Sequence, residues 1–304
     1  MINLLLTAVV PMIWGSTYLV TTEFLPADRP LLAGALRALP IGLIIVALYR
    51  KLPQGVWLWR VTVLGILNIG LFFALLFLSA YRLPGGVAAT LGAIQPLLVA
   101  GIAWFLLSQR PSKLTIFAGL AGVLGVGLLV LTPSTSLDPV GVTAAFAGTV
   151  SMAIGIVLAK RWARPAPLLL LTGWQLVVGG IFLAALSLLV EGLPPKLSST
   201  NLVGFGYLGV IGTGLAYTLW FRGIEKLGVS VSFLGLLSPM VATLLGYLVL
   251  EQRFTAFQGL GAVTILLSVL LGQWSARRQA IEVSHAEVEI LREEKARVFK
   301  HRTA

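Results

Sequence analysis

The sequence predicts an all-α polytopic membrane protein of ten transmembrane helices, built as two inverted five-helix repeats. Three observations predict this. Apolar runs of about 20 residues, the length that crosses a hydrocarbon core, recur along the chain. Lys and Arg concentrate in the short polar breaks between those runs, with a bias that alternates from break to break. Glycine and proline positions of the first half recur in order in the second. Composition agrees, with 58% hydrophobic and 11% charged residues, against about one-quarter charged in a soluble domain.

The runs lie at 3–22, 31–50, 58–79, 84–107, 114–132, 138–158, 168–190, 202–221, 229–250 and 256–275. Turn chemistry separates several of them, at Pro53-Gln54-Gly55, Leu83-Pro84-Gly85-Gly86, Thr132-Pro133-Ser134 and Pro194-Pro195. The first run has no basic flank or small-residue cleavage pattern and is too long for a signal peptide, so it is expected to be the first span. With the N-terminus inside, the inner loops hold ten basic residues: Arg50, Lys51, Arg60, Arg110, Lys113, Lys160, Arg161, Arg164, Arg222 and Lys226. The outer loops hold four, Arg29, Arg82, Lys196 and Arg253, and Arg277 and Arg278 follow the last span on the inner side. This bias predicts a multi-pass protein of a bacterial inner membrane with both termini cytoplasmic.

The expected organisation is a first repeat over 1–135, a second, inverted repeat over 136–275 and a charged cytoplasmic tail over 276–304. Leu64-Gly65 and Gly70 match Leu208-Gly209 and Gly214, then Phe77 and Leu83 match Phe221 and Leu227. Gly92-x-x-x-Pro96 aligns with Gly235-x-x-x-Pro239, Gln109-Arg110 with Gln252-Arg253, and Gly119-Leu120-x-x-Val123 with Gly259-Leu260-x-x-Val263. Arg37 falls opposite Gln175. Five spans per repeat force the second to enter from the opposite side, as in secondary transporters whose substrate site lies near the midplane between repeats.

Several side chains stand out against this apolar background. Pro96 and Pro239 lie mid-span, where each removes a backbone donor and frees the carbonyl of Gly92 or Gly235. These four residues are candidates for a helix kink or gate, or for a packing kink alone. Trp14 and Tyr18 share a face with Thr7 and Thr21, Tyr217 and Trp220 with Thr213, and Asn68 with Phe72 and Ser79. Aromatic walls with few polar groups suit an amphipathic organic substrate, and interhelical packing is the competing reading. Arg37 is the one charge well inside a span, read either as a substrate or gate contact or as a snorkelling or paired structural residue. Gln95, Gln175 and Ser238 are uncharged polar groups at membrane depth, facing a cavity or bonding between helices. Trp174 adjoins Gln175 and is a substrate-binding candidate with it.

In order along the chain, Trp14-Gly15-Ser16-Thr17-Tyr18, Arg37, Pro96, Trp174-Gln175, Ser238-Pro239 and Leu250-Glu251 resemble the drug/metabolite transporter superfamily, specifically its ten-helix EamA-type exporters. The resemblance covers 3–275 and implies export of small metabolites, amino acids or toxic compounds by alternating access. The chain departs from the pattern at Ser108, where such halves commonly carry a glutamate; Glu251 is kept.

Other classes fit less well. There is no cysteine, and the two histidines, His285 and His301, lie in the tail, so no metal and no cofactor are expected. No catalytic cluster of acids and imidazoles marks an enzyme. The net charge of +11 sits in inner loops and tail, which membrane topology explains without nucleic acid. The acids before the tail, Glu23, Asp28, Asp138, Glu191, Glu225 and Glu251, all avoid mid-span positions, which argues against a proton-coupled exporter of organic cations, the main alternative. A lipid flippase has only Arg37 in its favour. The expected partners are a small-molecule substrate and the bilayer, with the chain a monomer or weak homodimer. Ala118-x-x-x-Gly122 and Ala121-x-x-x-Gly125 offer close-packing faces, within the bundle or between protomers. The tail places Ile281, Val288, Leu291 and Val298 on one side of a possible surface helix.

Overall fold

A backbone in hydrocarbon must satisfy its own hydrogen bonds, which helices do within a single segment. The computed structural model describes residues 2–108, 110–130, 137–162, 165–193, 196–227, 234–235, 237–251, 255–272, 274–275 and 278. Among them there are helices and connections and no strand. Seven helices are long and apolar enough to cross a membrane: α1 (Ile2–Phe24), α2 (Pro30–Tyr49), α3 (Trp57–Arg82), α4 (Gly85–Leu107), α6 (Pro139–Arg161), α7 (Leu168–Glu191) and α8 (Ser199–Gly223). Three shorter apolar helices are α5 (Lys113–Leu128), α9 (Leu237–Val249) and α10 (Ala256–Gly272). The molecule is a polytopic helical membrane protein. The expected turns at Thr132-Pro133-Ser134 and Pro194-Pro195, the Gln252-Arg253 match and the tail's apolar side lie outside the described residues.

Apolar side chains face outward as well as inward. Leu5, Leu48, Phe105, Leu124 and Leu189 are exposed, a surface that lipid and not water would cover. The interior is closed by Phe73, Phe77, Leu176, Leu183 and Leu208, all fully buried. The most extensive helix pair is α2 against α7. Its close approach depends on Gly180, where an added Cβ would lie 2.7–2.8 Å from the Leu39 backbone and side chain. Gly122 and Gly125 pack within the chain, Gly122 beside Leu97 and Ser268 and Gly125 beside Ile265 and the Gly261 carbonyl. That face of α5 is therefore occupied by α4 and α10.

Three helices loosen to π geometry, at Ile66–Leu71 in α3, Ser187–Glu191 in α7 and Tyr207–Leu215 in α8. The segment in α8 contains the matched Leu208-Gly209 and Gly214, and the segment in α3 follows directly on Leu64-Gly65 and contains Gly70. α4 breaks at Ala93–Ile94, between Gly85–Gly92 and Gln95–Leu107. Pro96 offers no N–H to the Gly92 carbonyl, and the ladder tightens to three-residue spacing, with Leu97 N–H donating to Ile94 O at 3.0 Å. Ahead of Pro239 the Ser238 N–H likewise donates to Gly235 O, at 3.1 Å. α4 and α9 both run into a left-handed residue, Ser108 at φ 55° and Glu251 at φ 53°. The glutamate-to-serine departure thus falls at positions with the same backbone conformation.

Candidate functional site

The helix breaks before Pro96 and Pro239 border a cavity of about 390 Å³, within the usual size for small-molecule sites of about 300–1,000 Å³. Its wall takes Trp14, Thr17 and Tyr18 from α1, Arg37 from α2, and Phe72, Phe73, Leu76 and Ser79 from α3. From α4 come Ala88, Ala89, Gly92, Ala93, Gln95 and Pro96. Ala145, Gly148, Thr149 and Met152 of α6, Tyr217 and Trp220 of α8, Gly235, Ser238 and Pro239 at α9, and Val269 of α10 complete it. No acidic side chain lines it among the described residues.

Trp14 organises one wall. Its ring centroid lies 5.8 Å from Tyr217, edge to face, and 5.1 Å from Trp220. Its Nε1–H donates to the Gly212 carbonyl at 3.1 Å. Gly15, next to Trp14, brings α1 against α9, since an added Cβ would fall 2.5 Å from the Ser238 carbonyl oxygen. Ser16 shares a 2.7 Å hydrogen bond with the Tyr207 hydroxyl. The Trp-Gly-Ser-Thr-Tyr run therefore alternates cavity surface with contacts to α8 and α9.

Arg37 does not snorkel. It is 3% exposed, with Nε–H donating to Thr213 Oγ1 at 3.2 Å and Nη2–H to Gly212 O at 3.3 Å. The guanidinium carbon lies 4.8 Å from the Phe73 ring centroid and 5.9 Å from that of Phe77. Nη1 is buried with no hydrogen-bond partner, and no carboxylate lies within ion-pair distance among the described residues.

Of the sequence-predicted residues, the wall includes Trp14, Tyr18, Arg37, Phe72, Gln95, Tyr217, Trp220 and Ser238, with Gly92, Pro96, Gly235 and Pro239. Asn68, Trp174 and Gln175 lie off it, and each has a structural reason. Asn68 Nδ2–H donates to Gln175 Oε1 at 2.8 Å, and Gln175 Nε2–H donates to Leu171 O at 3.2 Å, so both ends of the glutamine amide are used between and within helices. Trp174 Nε1–H donates to Lys51 O at 2.8 Å. Its ring lines a separate cleft with Arg50, Lys51 and Trp57. The α6 wall was not anticipated. Its signal is a helical face of Ala145, Gly148, Thr149 and Met152, at spacings that ordinary close packing also produces.

Acids at the helix ends have structural work. The Glu191 carboxylate accepts from the N–H groups of Leu31 and Leu32, at 2.6 and 2.9 Å, and closes the start of α2. Asp138 caps α6 through Val140 N–H at 2.7 Å and Gly141 N–H at 3.1 Å, and pairs with Arg82 at 2.9 Å. The Gly141 backbone bond, then the Arg82 contact, hold its carboxyl below the usual range.

The profile of the EamA-like transporter family matches residues 1–131 and again 139–272. The chain belongs to this family. Protein PecM of Dickeya dadantii is 48% identical over 86% of this chain and 89% of that protein. The uncharacterized inner membrane transporter YicL of Salmonella typhimurium is 28% identical over 92% of this chain and 97% of that one. A solved crystal structure superposes with a TM-score of 0.64 at 21% identity, covering 91% of this chain and 98% of that chain, and shares the fold. The protein is accordingly a drug/metabolite-type membrane transporter of small molecules and not an enzyme.

Proposed function

We propose that this chain is a ten-helix secondary transporter of a bacterial inner membrane that exports small amphipathic metabolites or amino acids through the aromatic cavity. Its two repeats, 1–135 and 136–275, are inverted, both termini are cytoplasmic, and the cavity opens alternately to each side. The observation that carries the reading is the cavity's wall, to which both halves contribute a proline-marked helix break, Gly92/Pro96 and Gly235/Pro239. The double family match, the paired π segments and the paired left-handed ends of α4 and α9 support the repeat. The printed description of YicL as an inner membrane transporter supports the location.

A break in the ladder gives each half a point about which the parts of its helix can tilt, and two-fold symmetry turns one tilted state into its mirror across the membrane. Among the described residues no carboxylate lines the cavity to exchange a proton for a cation. This favours facilitated diffusion or a coupling without a buried acid, and disfavours organic-cation export. The cargo is sought by metabolite profiling of medium from overexpressing and deleted cells. The leading compound is then followed in proteoliposomes. Pro96→Ala and Pro239→Ala are expected to slow its transport more than they reduce insertion. Normal transport by both variants at equal membrane amounts refutes the kink argument, and strong cargo-driven proton flux at neutral pH refutes the coupling argument.

A further inference from the structure

A guanidinium carries five N–H donors and cannot shed its charge in a protein. Arg37 uses two of these donors, toward Thr213 and Gly212, and leaves both on Nη1 without a partner. Phe73 and Phe77 offer ring faces, which attract a cation far less than a carboxylate would. An isolated buried charge is costly even after local relaxation. Among the described residues no acid offsets that cost, yet the residue borders the cavity. Elsewhere the chain does pair a cation with an acid between its halves, at Arg82 and Asp138.

We propose that the missing counter-charge is the cargo's own: Arg37 anchors an anionic group, and the transporter selects small amphipathic anions, a carboxylate on an aromatic or apolar body. This rests on the reading of the cavity as the transport site. The planar guanidinium fork matches a carboxylate through two parallel hydrogen bonds. Trp14, Tyr217 and Trp220 offer the apolar body a stacking wall. An organic cation in the same cavity meets an uncompensated like charge with little water to screen it.

Three probes with one ring and different head groups separate charge from shape: indole-3-acetate, indole-3-acetamide and tryptamine. Their binding to the purified full-length protein is measured by calorimetry. The acetate is expected to bind at least about tenfold more tightly than the acetamide, as a charged hydrogen bond implies, with tryptamine weakest. Arg37→Gln removes the acetate's advantage and Arg37→Lys restores part of it, both eluting as the native protein does. Equal binding of acetate and acetamide, tighter tryptamine, an unchanged preference in Arg37→Gln, or no binding of any probe overturns the inference. Ala93→Trp, which fills the cavity from α4, tests the underlying site separately. If it abolishes binding while the charge order is absent, the cavity stands and the anion anchor falls. If it leaves every bound probe untouched, the cavity reading itself falls.

Discussion

Arg37 and Gln175 each cross from one half of the bundle to a π segment of the other, and they differ in what they leave free. Arg37 of α2 reaches Gly212 and Thr213 in α8, while Gln175 of α7 meets Asn68 in α3. The backbone device is the same at both crossings, a π turn that releases normal helical bonding. At the Gln175 crossing one neutral amide donates to another, the Asn68 Oδ1 acceptor stays buried without a partner, and both residues stay off the cavity wall. At the Arg37 crossing a full charge reaches neutral acceptors only and borders the cavity. Two crossings of like construction therefore serve different ends: one fastens helices, and the other retains unused donors beside a space that a substrate fits.

Substitutions that separate the two crossings should rank accordingly. Arg37→Leu is expected to have the largest effect, loss of cargo transport with the folded protein retained, measured as uptake per reconstituted molecule. If transport survives, the contrast between the crossings disappears. Gln175→Leu is expected to act on stability instead. It leaves the Asn68 amide buried without its acceptor and costs about 1–2 kcal/mol in thermal unfolding. Adding Asn68→Leu should recover most of that loss, because removing both partners leaves no stranded polar group. A double variant no more stable than Gln175→Leu alone argues against a simple fastening role.

The exposed Arg82–Asp138 contact should matter least, being open to water. Its sign is still testable. The folded carboxyl titrates below its unfolded value, so its stabilisation is present above the ordinary carboxylate range near pH 4 and is lost as pH falls through the folded value. Asp138→Asn should lower the unfolding temperature slightly at pH 7 and leave it unchanged in strong acid. An equal shift at both pH values contradicts the assignment.

These comparisons also mark how far the sequence could be read. Apolar runs reported the helices because hydrocarbon tolerates little else, and the mid-span Trp14 and the Gly-Pro pairs pointed to the cavity because lipid offers them no role there. The π segments were not legible, since they arise from the register of hydrogen bonds and the residues 66–71 and 207–215 are compatible with ordinary helix. Asn68 and Gln175 stay open in the sequence between cavity and interhelical bonding, because polarity at depth says that a partner exists and does not say whether the partner is protein or ligand. Ser108 and Glu251 share no side-chain chemistry, so their common left-handed backbone became visible only in the structure.

The central claim is that one cavity between the two halves faces each side of the membrane in turn. The chain contains no cysteine, so Ala93→Cys on the cavity wall gives a single thiol without background. Sealed vesicles of both orientations are treated with a membrane-impermeant thiol reagent, and labelling is read by mass. The account predicts labelling from either side, reduced from both by transported cargo. Labelling from one side alone, unaffected by cargo, would contradict it.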